Sequence, residues 1–197
     1  MMDALWKKMK DYALQYEVPI LRDAELPLFC SLVRQAAPSH VLEIGTAIGY
    51  STLRIASCLR ASSTITTLEL DHQRVMAAWA FIAQSPYEQQ ITLLEGDGTM
   101  LLDQLDGPWD FVFLDGPKGQ YSRQLQKIMP KLLPGAIIAA DNIRYHDMLY
   151  IDGTLPHKHR TAVSRLREFL TMIEDTTQFE SVFLENGDGM TVSRWKG

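Results

Sequence analysis

A doubly wound α/β fold, with a mostly parallel sheet and an antiparallel C-terminal hairpin strand, is the class that this 197-residue sequence predicts. Three observations carry the expectation. Short, almost wholly apolar runs recur at 41–44, 64–70, 91–94, 111–114 and 136–140, as in strands buried on both faces. Amphipathic stretches separate them, and parallel neighbours need such crossovers. The last two runs, Phe179–Leu184 and Met190–Trp195, flank Asn186-Gly187-Asp188-Gly189, a hairpin-turn composition.

The elements follow in order. Residues 3–15 predict a helix, with Leu5, Met9, Tyr12 and Tyr16 at helical spacing. Val18-Pro19-Ile20 interrupts it, a second helix spans 24–35, and Pro38-Ser39 punctuates again. Residues 1–37 are thus a helical N-terminal part, and 38–197 the alternating core, of a single domain. Helices are expected at 50–58, 72–84, 98–104 and 121–129, between the strands. A long helix at 160–173 presents Val163, Leu166, Leu170 and Ile173 on one face. The whole pattern is Rossmann-like, and in such sheets ligands bind beyond the carboxyl ends of the strands.

Composition narrows the function classes. With 46% hydrophobic and 22% charged residues, the chain is an ordinary globular protein. A net charge of −5 argues against a general polyanion binder, which needs surplus Lys and Arg. Cys30 and Cys58 sit in expected helices among apolar neighbours and read as buried free thiols. Residues 1–16 form a polar amphipathic segment and not a signal peptide, and no apolar run is long enough to span a membrane. The cytoplasm is the expected compartment.

The strand ends carry the chemistry. Glu43 ends the first strand, and Gly45-Thr46-Ala47-Ile48-Gly49-Tyr50-Ser51 follows as a glycine-bearing turn into a helix. That is either a plain tight turn or a cradle for a nucleotide-like cofactor. The second strand ends at Glu69-Leu70-Asp71, about 20 residues past the turn, where an acid commonly holds ribose hydroxyls. Asp71 reads equally as a helix N-cap. Asp97, before Gly98, either meets an adenine amino group or caps the next helix. The fourth strand delivers Asp115, with Lys118 one turn on; the fifth delivers Asp141 and Asn142. The alternatives there are a surface ion pair and a turn signal. Taken together, two acids and an amide on strand ends offer hard oxygens to a divalent cation.

These residues, with Gly187-Asp188-Gly189-Met190, resemble the class I S-adenosylmethionine-dependent, metal-dependent O-methyltransferases of the catechol and caffeoyl-coenzyme A type, over nearly the whole chain. The resemblance implies that Glu43, Gly45 and Ser51 surround the methionine part of S-adenosylmethionine. It places Glu69 on the ribose and Asp97 with Gly98 beside the adenine. Asp115, Asp141 and Asn142 would hold Mg²⁺ or Mn²⁺, Asp115 also counting among the catalytic and cofactor-bordering residues, and Lys118 would be the general base. Val18-Pro19-Ile20, Lys118-Gly119-Gln120-Tyr121 and the pre-helix segment His157-Lys158-His159-Arg160 are similar to the bacterial tRNA 5-hydroxyuridine methyltransferases. That implies a tRNA anticodon loop as partner, contacted by Lys158 and Arg160, with Arg144, His146, Arg165 and Arg167 nearby; a small catechol-like phenol is the other acceptor, and a non-catalytic cofactor-binding scaffold the remaining alternative. A homodimer and no membrane association are expected.

Overall fold

The computed structural model describes residues 2–145, 156–185 and 188–197, without the side chain of Lys158. Contacts divide the chain into two compact units, Met1–Gly98 and Thr99–Gly197. Seven strands form a mixed, mostly parallel sheet accompanied by helices, the doubly wound α/β class that the sequence predicts.

The first unit opens with α1 (Met2–Gln15) and α2 (Leu26–Ala36). α1 buries Leu5, Trp6, Met9 and Ala13. Tyr16, expected on the same face, is largely exposed, because the helix ends one residue earlier. Strands β1 (His40–Ile44), β2 (Thr64–Glu69) and β3 (Ile91–Glu95) alternate with α3 (Tyr50–Ala56) and α4 (His72–Ile82). They run parallel in the order β3-β2-β1, Ile44 facing Leu68 and Glu69 facing Glu95. Val41, Leu42, Ile44, Ile65 and Leu68 are buried, as continuous apolar strands require. Cys30 is buried on α2, and burial, then the neighbouring Cys58, pushes its thiol up to about 11. Cys58 lies just past α3 and is half-buried, not buried as expected; both thiols are free.

The short helix α5 (Gly98–Leu101) leads into the second unit. There β4 (Trp109–Leu114), α6 (Tyr121–Ile128), β5 (Leu132–Asp141), α7 (His157–Ile173), β6 (Phe179–Leu184) and β7 (Met190–Trp195) follow. The strand order is β4-β5-β7-β6, with β4 parallel to β5 and both later pairs antiparallel. β5 starts four residues earlier than the apolar run, at Leu132. The strand passes through Pro134-Gly135 where the β4–β5 register shifts between Trp109 and Phe111. On α7 the core positions are Val163, Leu166, Phe169 and Ile173. Phe169 takes the place expected of Leu170, since its ring packs edge-on against Tyr121 with centroids 5.5 Å apart. The helix also begins at His157 rather than Arg160, so the basic segment is its first turn. Among the described residues no helix is long and apolar enough to cross a membrane. The expected turn residues Asn186 and Gly187, and His146, lie outside the described residues.

Candidate active site

At the end of β1 the Glu43 side chain has no exposure at all. Ser51 Oγ donates to it at 2.5 Å and Thr67 Oγ1 at 2.6 Å, and Thr52 Oγ1 donates as well. Burial pushes its carboxyl above the ordinary range; the three hydroxyls pull it back and the charge of Glu69 pushes it up again. Glu43 is therefore bound into the protein by hydroxyls on α3 and β2, and it fixes the first turn of α3. The turn between them needs left-handed backbone at Gly45 (φ 105°), Ala47 (φ 48°) and Gly49 (φ 82°). Ala47 is the unusual member, because a Cβ disfavours that region. It is held there by its own N–H, which donates to Glu69 Oε2 at 2.8 Å.

Glu69 is nearly buried, at 8% exposure. Its second oxygen accepts from Leu70 N at 3.0 Å and Asp71 N at 2.9 Å. One carboxylate thus ties the glycine turn to the end of β2. Asp71 does cap α4, accepting from Arg74 N at 3.0 Å. Gly96 N donates to Glu69 O at 2.8 Å, which sets the end of β3 beside that of β2. Asp97 and Gly98, both half-buried, follow at that end, Gly98 opening α5.

In the second unit, Asp115 leaves β4 immediately after buried Leu114. Lys118 opens a 3-10 turn, and its Nζ lies 3.4 Å from Asp115 Oδ1 and donates to Tyr121 Oη at 2.8 Å. The Lys118 side chain is only 11% exposed, so this is no solvated surface pair. Tyr121 Oη in turn donates to the carbonyls of Leu114 (2.7 Å) and Asp141 (3.1 Å). Burial pushes the Tyr121 phenol well above its ordinary pKa, and the charges of Asp115 and then Asp141 add to that. Two carboxylates therefore act on one hydroxyl. Such a pair of acids favours a cation.

Asn142 has φ 53° and donates its N–H to Asp141 Oδ1 at 2.8 Å, a turn that closes on the acid itself. The next residues are pinned by the C-terminal hairpin, Ile143 N donating to Gly189 O (3.1 Å) and Arg144 N to Asp188 O (2.9 Å). Gly189 has φ 78°, and a Cβ there would come 2.7 Å from Arg144 Cγ. The sequence places Gly189 in a hairpin turn, and the approach of Arg144 explains why that position takes a glycine. Among the described residues, no three His, Cys, Asp or Glu side chains gather as a metal group. The expected set is two acids and an amide, and these residues stand at the ends of the adjacent parallel strands β4 and β5.

The expected basic residues have different surroundings. Arg165 is paired with Glu168 at 2.7 Å, Arg144 lies against Gly189, and Arg160 and Arg167 are exposed on α7. His159 Nδ1 lies 3.1 Å from Tyr145 Oη. Thr52 and Thr67 go unread in the sequence, and Tyr121 is read only as part of a motif, because a hydroxyl among apolar residues gives no periodic signal.

A family model described as O-methyltransferase matches residues 7–196. The chain belongs to the O-methyltransferase family. The catechol O-methyltransferase of Niastella koreensis is 31% identical over 176 residues, covering 84% of this chain and 77% of that one. The caffeoyl-CoA O-methyltransferase of Populus kitakamiensis is 24% identical, over 83% of this chain and 72% of its own. The solved structure of a Bacillus cereus O-methyltransferase in complex with SAH superposes with a TM-score of 0.88 at 22% identity, covering 98% and 91% of the two chains, and shows the common fold. This protein is an S-adenosylmethionine-dependent O-methyltransferase of the catechol and caffeoyl-CoA type.

Proposed function

We propose that this O-methyltransferase methylates a hydroxyl that lies next to a second oxygen, both oxygens being chelated by Mg²⁺ or Mn²⁺, and that its acceptor is 5-hydroxyuridine at the wobble position of tRNA. The observation that carries the chemistry is that Lys118 Nζ lies 3.4 Å from Asp115 Oδ1 and 2.8 Å from the Tyr121 hydroxyl, which meets the backbone carbonyl of Asp141 at 3.1 Å. Asp115, Asp141 and Asn142 would hold the cation, which lowers the pKa of a coordinated hydroxyl. S-adenosylmethionine supplies an already activated methyl group. Lys118 Nζ takes the acceptor's proton, and its nearly buried place 3.4 Å from Asp115 Oδ1 sets it beside the proposed cation ligands. Glu69 orients the donor through ribose, and its grip on Ala47 holds the turn at whose far end Ser51 stands. Glu43 acts through that turn, because its oxygens are occupied by hydroxyls.

The tRNA acceptor is supported by the likeness around Lys118-Gly119-Gln120-Tyr121 and by Arg160 in the exposed first turn of α7. A small catechol is the second reading, favoured by the 31% identical relative named for that substrate. Both present two adjacent oxygens, so a paired assay separates them. Purified enzyme is given S-adenosylmethionine and Mg²⁺ with either 5-hydroxyuridine-bearing tRNA or pyrocatechol. Methylation of the tRNA, abolished by EDTA and restored by Mg²⁺ or Mn²⁺, is expected. Turnover of pyrocatechol alone would move the acceptor to the second reading, and full turnover in chelator would remove the cation from the site.

A further inference from the structure

We propose that Tyr121 is a positioning residue, whose hydroxyl holds the Lys118 amine at the site and joins the two strand ends that carry Asp115 and Asp141. The inference rests on the reading of Lys118 as the base, and it assigns a role that the acids and the lysine do not cover.

The direction of each bond follows from the inventory of donors. A phenol has one proton and can also accept. Carbonyls only accept, so the proton of Tyr121 is shared between Leu114 O and Asp141 O, at 2.7 Å and 3.1 Å. The oxygen is then left as acceptor for Lys118 Nζ at 2.8 Å. Leu114 and Asp141 end neighbouring parallel strands, whose ladder closes at Leu114↔Ala140. Beyond that rung, the strands pass to Asp115 and Asn142. The Tyr121 hydroxyl is therefore a clasp across the two strand ends. It also restrains a long, four-torsion side chain that Asp115, at 3.4 Å, holds only loosely.

The ring itself is fixed. Tyr121 is fully buried at the start of α6, and Phe169 of α7 packs edge-on against it at 67°. The Lys118 amine lies 5.1 Å from the ring centroid, so ring and hydroxyl both restrain it. The sequence gives Tyr121 a helix start and a place in the Lys118-Gly119-Gln120-Tyr121 likeness but no chemical role, because nothing in its spacing tells a core tyrosine from one whose hydroxyl faces a site.

The test uses Tyr121→Phe, which keeps the ring and removes only the hydroxyl. Two readouts are needed. The first is acylation of lysines by an N-hydroxysuccinimide ester, followed residue by residue by peptide mass spectrometry. In the variant, Lys118 should be labelled severalfold faster while the other lysines keep their rates; an unchanged Lys118 rate overturns the proposal. The second is steady-state methylation of 5-hydroxyuridine-bearing tRNA, with pyrocatechol as the other acceptor. The turnover number should fall about 10- to 100-fold, the scale for a displaced catalytic group, with KM for S-adenosylmethionine unchanged. Wild-type turnover with a freed lysine overturns it equally. In a Lys118→Ala background, adding Tyr121→Phe should cost no further turnover; a full additional loss would show that Tyr121 acts by another route. If Lys118→Ala alone retains wild-type turnover, the base assignment fails, and the labelling rate still decides whether Tyr121 positions the amine.

Discussion

Replacing Glu69 by Gln tests the turn and the cofactor reading with one atom exchanged. Glu69 accepts three backbone N–H groups, from Ala47, Leu70 and Asp71, at 2.8–3.0 Å. An ionised carboxylate offers about four acceptor directions, so one is left for a ribose hydroxyl. Glutamine has a single acceptor oxygen. Its best placement keeps that oxygen on Leu70 and Asp71 and turns the NH₂ toward Ala47 N–H, donor against donor. One charge-assisted bond is lost at a site only 8% exposed, and such a bond contributes about 1.5–3 kcal/mol. For a chain of this size, each kcal/mol moves Tm by about 2–4 °C, so scanning calorimetry should show a fall of roughly 3–12 °C. Ala47 is also released from its left-handed backbone, and the ribose loses a charged partner. Titration calorimetry should therefore show S-adenosylmethionine binding about 10- to 100-fold weaker. Unchanged affinity with a lowered Tm would make Glu69 a turn anchor alone, and wild-type values of both would refute the reasoning.

Other outcomes follow from the same geometry. Gly189→Ala should lower stability by about 1–3 kcal/mol, the scale of a forced left-handed residue, since φ is 78° and the new Cβ would meet Arg144 Cγ. If Asn142 holds the proposed cation, Mn²⁺ affinity, read by electron paramagnetic resonance, should fall with it, because Ile143 and Arg144 behind Asn142 are pinned to that turn; intact Mn²⁺ affinity would detach the hairpin from the proposed cation site. The carboxyl of Glu43 is pushed up by burial, so the folded protein holds its proton more tightly than the unfolded chain. Its stabilising contribution is then complete below the ordinary carboxylate range and is lost as pH rises above it, through the raised value. The Tm difference between wild type and Glu43→Gln should change across that window, and parallel curves would show no shift.

Much of this was legible in the sequence, and the reason is periodicity. Both faces of β1 and β4 are covered, so unbroken apolar runs mark them, and the first polar residue after each run marks a rim position. Asp115 and Asp141 stand out this way, whereas Glu43 and Glu69 stand out as single acids near the ends of their own runs. What stayed hidden depends on contacts between distant segments. Gly189 is a turn residue until Arg144 is seen against it. The start of β5 at Leu132, ahead of the apolar run, depends on the register shift against β4. His157 and His159 look like a basic leader, whereas Pro156 starts α7 before them.

The hydroxyls around Glu43 have a polarity. Thr67 has one proton and gives it to the carboxylate, so at its 2.6 Å contact with Thr46 it must be the receiver. The chain of O–H bonds therefore runs one way, from the glycine turn inward to the strand. Its two threonines are unequal links. Were Thr46 to lose its hydroxyl, Thr67 would still reach Glu43. Were Thr67 to lose its own, the fully buried Thr46 proton would be left without that acceptor and the turn would be cut off from the acid it leans on. The residue farther from the glycine turn is thus the one on which the order of that turn depends.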